Sequence, residues 1–239
     1  MNGFAVVTGG TRGIGRCIAE KLLGAGYKVF VTYARDERAA TSFMADFPEI
    51  SAVQLDGRII DQVQALRDRI LAEGALSVLV NNAGITGDGI FLNANLEAFN
   101  QVMDTNFGST LNYCNVFAPA MAAARFGNII NISSVAATKV KLGNTAYGCA
   151  KAAIERLTLG LALELARFDV KVNGIAPGFV DTDMFKAFAQ GGERDILKSI
   201  PGRKIMMPEE IANIVFLLVS RQLNTTGTLL KVGNGENIG

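Results

Sequence analysis

Phe4-Ala5-Val6-Val7-Thr8-Gly9-Gly10-Thr11-Arg12-Gly13-Ile14-Gly15 begins as an apolar run of strand length and breaks into glycines. It then enters a segment with helical periodicity carrying Ile14, Ile18, Leu22 and Leu23. Glycine lets a backbone turn sharply and approach a pyrophosphate closely. The free N–H groups and positive dipole end of the following helix favour such an anion. The spacing here is GxxxGxG, and a glycine-rich turn between a strand and a helix points to a nucleotide when it follows the first strand of a parallel α/β chain.

The rest of the chain continues that alternation. Phe4-Val7, Val29-Thr32, Ala52-Leu55, Leu76-Val80, Asn128-Ile132, Val170-Ile175 and Thr228-Val232 are strand candidates with helix-patterned segments between them. Their nearly continuous Val, Ile and Leu content predicts strands covered on both faces. The expected fold class is therefore α/β, a Rossmann-type doubly wound parallel seven-stranded sheet with helices on both faces. The 26 glycines in 239 residues exceed the roughly 7% that is typical, as many tight strand-to-helix turns require. No linker, low-complexity tract or repeat interrupts the pattern, so residues 1–239 read as a single domain. Its most irregular segment, 178–208, reads either as a substrate lid or as a helical excursion packed on the surface.

At the end of the second strand, Thr32-Tyr33-Ala34-Arg35 stands where an NAD-selective fold places a carboxylate. Arg12 and Arg35 suit the 2′-phosphate of NADP(H) instead. Asp36 reads either as a helix N-cap or as a ribose ligand that shifts the preference toward NAD.

The chain has no histidine. That removes Ser-His-Asp and Cys-His nucleophiles, histidine bases and histidine metal ligands, and no metal site is expected. Another proton donor is needed. Tyr147 and Lys151, four residues apart in Tyr-Gly-Cys-Ala-Lys, share one helical face. A cation about 5 Å from a phenolate, at an effective dielectric near 20, contributes on the order of 3 kcal/mol. This is roughly two pKa units from a starting value near 10, before the opposing cost of desolvation. Ser134 follows the strand ending Ile129-Ile130-Asn131-Ile132, which puts its hydroxyl at the carboxyl end of the sheet.

With 23 basic and 22 acidic side chains, the formal net charge is +1, giving no field suited to nucleic acid or an anionic membrane. Cys17, Cys114 and Cys149 are too dispersed for a disulfide framework or a CxxC site. The apolar stretch Ile214 to Val219 falls far short of the roughly 20 residues that span a bilayer, and no basic n-region precedes the first apolar run. A soluble cytoplasmic protein is expected.

In combination, TGGTRGIG (8–15), Asp56, NNAG (81–84), Asn106, ISS (132–134), YGCAK (147–151) and PGFVDT (177–182) resemble the short-chain dehydrogenase/reductase family over essentially the whole chain. The resemblance implies carbonyl reduction with NADPH/NADP. Asn106, Ser134, Tyr147 and Lys151 would form the catalytic set. Gly9, Thr11, Arg12, Gly13, Ile14, Gly15 and Arg35 would hold the cofactor's phosphates, and Asp56 its adenine. Asn82, Ala83 and Gly84 would line the adenosine ribose side, and Tyr147 and Lys151 the nicotinamide ribose. Pro177, Gly178 and Thr182 would seat the carboxamide, while Asn106 would kink its helix and relay protons through water.

Within the family the chain is similar to the 3-oxoacyl-[acyl-carrier-protein] reductases, through NNAGIT, APGFVDTDM, Pro208-Glu209-Glu210-Ile211-Ala212 and Thr226-Gly227. That similarity implies acyl carrier protein as partner, with Arg125 and Arg167 near its docking positions, and a homotetramer with contacts on the Asn95-Met121 and Ala146-Ala166 helices. For each arginine, an ordinary helix-end cation is the other reading. Gly57, Met206 and Val232-Gly233-Asn234-Gly235 depart from the family pattern. The other readings are a reductase of an acyl-CoA, polyketide, sugar or steroid carbonyl and, with less support, a nucleotide-binding protein without catalysis.

Overall fold

The computed structural model describes residues 2–87, 89–93 and 95–236. Seven strands form one parallel sheet: β1 Asn2–Thr8, β2 Tyr27–Tyr33, β3 Ser51–Gln54, β4 Leu76–Asn81, β5 Gly127–Ile132, β6 Val170–Pro177 and β7 Leu229–Val232. Their order is β3-β2-β1-β4-β5-β6-β7. Every predicted strand is present, with ends shifted by a few residues.

The apolar runs form strands because side chains alternate between two covered faces. On one face Ala5, Val7, Val78, Val80, Ile130 and Ile132 pack against helices α1 Gly13–Gly24 and α9 Pro208–Val219 through Ile18, Leu22, Val215 and Leu218. On the other, Phe4, Val6, Leu79 and Ile129 meet α3 Ile60–Glu73 and α5 Ser109–Ala124 through Leu66, Ile70, Tyr113, Phe117 and Met121. The remaining helices are α2 Glu37–Asp46, α4 Leu96–Met103, α6 Thr145–Leu165, α7 Asp183–Ala189 and α8 Glu193–Ser199.

The strand order reverses at β1 and β4. The crevice beyond the carboxyl ends of these strands is where doubly wound sheets take ligands. Segment 178–208 is a pair of short helices, α7 and α8, separated by Gly191 and Gly192. Its base is closed by a parallel bridge between Val180 and Met206, with Met206 N–H donating to Phe179 O at 2.9 Å.

Candidate active site

The glycine turn leaves β1 at Thr8. Gly9 (φ +61°) and Gly13 (φ +52°) adopt the left-handed region that favours glycine, and a Cβ on Gly13 would lie 3.3 Å from Thr182 Cγ2. Helix α1 begins with Arg12 as N-cap, without a side-chain cap and without an acidic residue in its first turn. Helices α2 and α7 differ, being capped by Asp36 and Thr182 respectively. The uncapped N–H groups at Gly13, Ile14 and Gly15 therefore suit an anionic group, and a dinucleotide pyrophosphate fits the residues present.

Asn82 and Ala83 follow β4 and face the loop, but Asn82 is also a clamp. Its Nδ2 donates to Thr8 O at 2.9 Å and Gly9 O at 3.1 Å, and both backbone N–H groups donate to Thr8 Oγ1 at 2.9 Å. Thr8 was not singled out from sequence. The signal was a lone hydroxyl ending an apolar strand, where a buried oxygen must find partners.

Arg12 is exposed, 3.8 Å from Asp36 and 4.0 Å from Asp183. Asp36 is the N-cap of α2, accepting from Ala39 N at 3.0 Å. Arg35 is exposed just beyond β2. Asp56, after β3, is gripped by Arg58, whose Nε donates at 2.9 and 3.0 Å to its two oxygens. These bonds hold the carboxyl below its ordinary pKa. The departure at Gly57 has a packing reason: a Cβ there would come within 2.9 Å of both Ser109 and the Tyr113 ring.

Between α4 and α5 the chain makes a π-helical turn, Asp104–Gly108, that carries the fully buried Asn106. Its Oδ1 accepts from Ile85 N at 2.7 Å and its Nδ2 donates to Ile85 O at 2.9 Å, tying the loop after β4 to this helix. A Cβ on Gly84 would lie 2.9 Å from Asn106 Oδ1 and 3.7 Å from Lys151 Nζ, so glycine permits the close approach of these three residues.

Ser134 caps a short 3-10 turn at the end of β5. Its Oγ accepts from Ala136 N at 3.2 Å, and among the described residues its O–H has no acceptor. Tyr147 and Lys151 share a face of α6, with Lys151 Nζ 5.5 Å from the centre of the Tyr147 ring. Lys151 is 3% exposed and donates to Ile132 O at 2.8 Å. Burial pulls its pKa from 10.5 to about 8, so the ammonium still predominates at neutral pH. One turn further on, Glu155 is buried and accepts from Ser133 Oγ at 3.1 Å.

Pro177 ends β6, Gly178 follows it, and Thr182 caps α7 by accepting from Phe185 N at 3.3 Å. The carboxyl ends of β1, β4, β5 and β6 thus bring the glycine turn, Asn82, Ser134 and Pro177 to one edge of the sheet, next to Tyr147 and Lys151. Arg125 and Arg167 lie elsewhere. Arg125 Nη2 donates to Arg167 O at 3.1 Å, forming one basic patch at the amino ends of β5 and β6. The length of a strand, about 20 Å, separates them from Ser134. Among the described residues no group of three or more Cys, Asp or Glu side chains is placed to hold a metal, and no helix is long and apolar enough to cross a membrane.

An uncapped helix start, a buried cation beside a tyrosine and a serine O–H at the same crevice suit nucleotide-dependent proton and hydride chemistry. The short chain dehydrogenase family model matches residues 3–192. The 3-oxoacyl-[acyl-carrier-protein] reductase FabG of Chlamydia muridarum is 38% identical, with 98% of this chain and 97% of that protein covered. An actinorhodin polyketide ketoreductase variant solved with NADPH superposes with a TM-score of 0.95 at 28% identity, covering 100% of this chain and 98% of the other. ElxO with NADP bound gives 0.90 at 30% identity, covering 98% of each chain. The chain belongs to the short-chain dehydrogenase family.

Proposed function

We propose that this chain reduces the 3-oxo group of an acyl chain carried on acyl carrier protein, using NADPH, in fatty acid or related acyl-chain synthesis. The observation that carries the reading is 38% identity over nearly the full length to a 3-oxoacyl-[acyl-carrier-protein] reductase, in a chain that retains Ser134, Tyr147 and Lys151 at one crevice.

When bound, the reduced nicotinamide supplies hydride to the carbonyl carbon. Tyr147 gives its phenolic proton to the carbonyl oxygen, and Ser134 donates its O–H to the same oxygen as negative charge develops there. Lys151 offsets the charge left on Tyr147 and holds the nicotinamide ribose. Asn106 fixes the loop that carries Gly84 beside Lys151 and leads protons toward Lys151 through water.

For the cofactor, Gly9, Thr11, Gly13, Ile14 and Gly15 take the pyrophosphate, Arg12 and Arg35 the 2′-phosphate, and Asp56 the adenine. Asn82, Ala83 and Gly84 take the ribose side, and Pro177, Gly178 and Thr182 the carboxamide. Segment 178–208 of the single domain acts as the substrate lid. The protein works as a cytoplasmic homotetramer. Exposed Leu111 on α5 and Leu159 and Leu163 on α6 support helix-to-helix contact between copies. Arg125 and Arg167, a strand's length from Ser134 in their own chain, serve as carrier contacts across that assembly.

NADPH oxidation with acetoacetyl carrier protein, acetoacetyl-CoA and unrelated ketones tests the reading, and the carrier-bound substrate is expected to be turned over fastest. Arg125→Glu and Arg167→Glu lower that rate and spare free ketones. Equal losses on free ketones overturn the docking role, and a faster rate on another ketone overturns the substrate assignment.

A further inference from the structure

Glu236 belongs to no motif, yet it is 5% exposed at the carboxyl end of the sheet. Its Oε1 accepts from Phe179 N at 3.2 Å, whereas its Oε2 is buried with no hydrogen-bond partner among the described residues. The carboxyl sits between two glycines. A Cβ on Gly178 would lie 2.6 Å from Oε1, and a Cβ on Gly233 would lie 2.6 Å from Oε2.

The surrounding segment is tied to three parts of the crevice. Lys139, five residues beyond Ser134, donates from Nζ to Glu236 O at 2.8 Å. Gly178 N donates to Val232 O at 2.7 Å, and Gly202 N, at the foot of the 178–208 excursion, donates to Asn234 O at 2.7 Å. A buried oxygen without a partner lowers stability. Folds retain such groups where they position a working segment.

We propose that Glu236 is a positioning residue that sets the backbone of Gly178–Thr182 against the nicotinamide and links it, through Lys139, to the loop that follows Ser134. This rests on the NADPH reading above. The Phe179 N–H that Glu236 holds is one residue beyond Gly178 and three before Thr182, so losing that bond frees the peptide that seats the carboxamide.

The test is the NADPH dissociation constant of the full chain, read from the fluorescence of the bound dihydronicotinamide, with melting temperature in parallel. Glu236→Ala is expected to weaken NADPH about tenfold, the equivalent of one charge-assisted hydrogen bond. Glu236→Gln, which retains an acceptor for Phe179 N–H, stays within about twofold of the parent. Gly233→Ala displaces the carboxyl by contact and weakens NADPH alone, but adds nothing on top of Glu236→Ala.

If Glu236→Ala does not fold, the Gln and Gly233→Ala arms still decide. An unchanged constant in Glu236→Ala or Gly233→Ala overturns the proposal. So does a lower melting temperature with unaltered binding, or a Gln variant as weak as Ala. A parent protein that binds no NADPH overturns the functional reading instead.

Discussion

Replacing Lys151 with methionine separates what this side chain does for folding from what it does for chemistry. Burial lowers its pKa from 10.5 to about 8, a penalty on the charged form on the order of 3 kcal/mol. Because the folded-state pKa lies below the unfolded one, the penalty vanishes above about pH 10.5 and is complete below about pH 8. Methionine removes it but leaves Ile132 O without the donor now at 2.8 Å, which costs about 1–3 kcal/mol. At pH 7 the net is about 0–2 kcal/mol in favour of methionine, so the variant is expected to melt no lower than the parent and up to about 8 °C above it. At pH 10 most of the penalty is gone, so the lost bond outweighs it and the variant is the less stable of the two.

Activity follows a different rule. A cation about 5 Å from the phenolate, at an effective dielectric near 20, is worth on the order of 3 kcal/mol. Without it Tyr147 is a weaker acid. Turnover at pH 7 is expected to fall by about 100-fold or more, and the alkaline limb of kcat/KM to move up. The assay is NADPH oxidation from pH 6 to 10 beside calorimetry of the same samples. A rate loss that follows lost stability, with the alkaline limb unmoved, refutes the reasoning.

Tyr147→Phe is expected to lower turnover by about 10²- to 10⁴-fold while NADPH affinity, read by fluorescence, falls by no more than about tenfold, the worth of one hydrogen bond to the ribose. Arg12→Ala and Arg35→Ala should each weaken NADPH by about tenfold and leave NADH unaffected, as isothermal titration would show, since only NADPH carries the 2′-phosphate. Gly57→Ala should cost about 1–3 kcal/mol in denaturant unfolding through overpacking, because the added methyl lies 2.9 Å from the Tyr113 ring.

The sheet was legible because strands buried on both faces need nearly unbroken apolar runs, and Phe4-Val7 and Leu76-Val80 supply them. Tyr147 and Lys151 were legible because α-helical spacing alone puts residues four apart on one side. Asp36 was not, since a carboxylate after a strand serves as cap or ligand according to backbone geometry. The bonds from Ala39 N to Asp36 and from Arg58 to Asp56 appear only when the chain is folded. The departure at Gly57 has its reason in Tyr113, more than fifty residues away in sequence, whose ring packs against it.

The sequence by itself determined the α/β order, the glycine turn, the Tyr147 and Lys151 pairing on one helical face and the lack of any histidine, all of which depend on residue identity or on neighbours within a few residues. Tertiary structure alone decided how deeply Lys151 is buried and that Asn82 clamps the turn. It also decided that Arg125 and Arg167 lie at the far end of the sheet and that Glu236 reaches Phe179. Desolvation and long-range hydrogen bonds depend on what the rest of the chain brings to a residue, and local spacing does not record that.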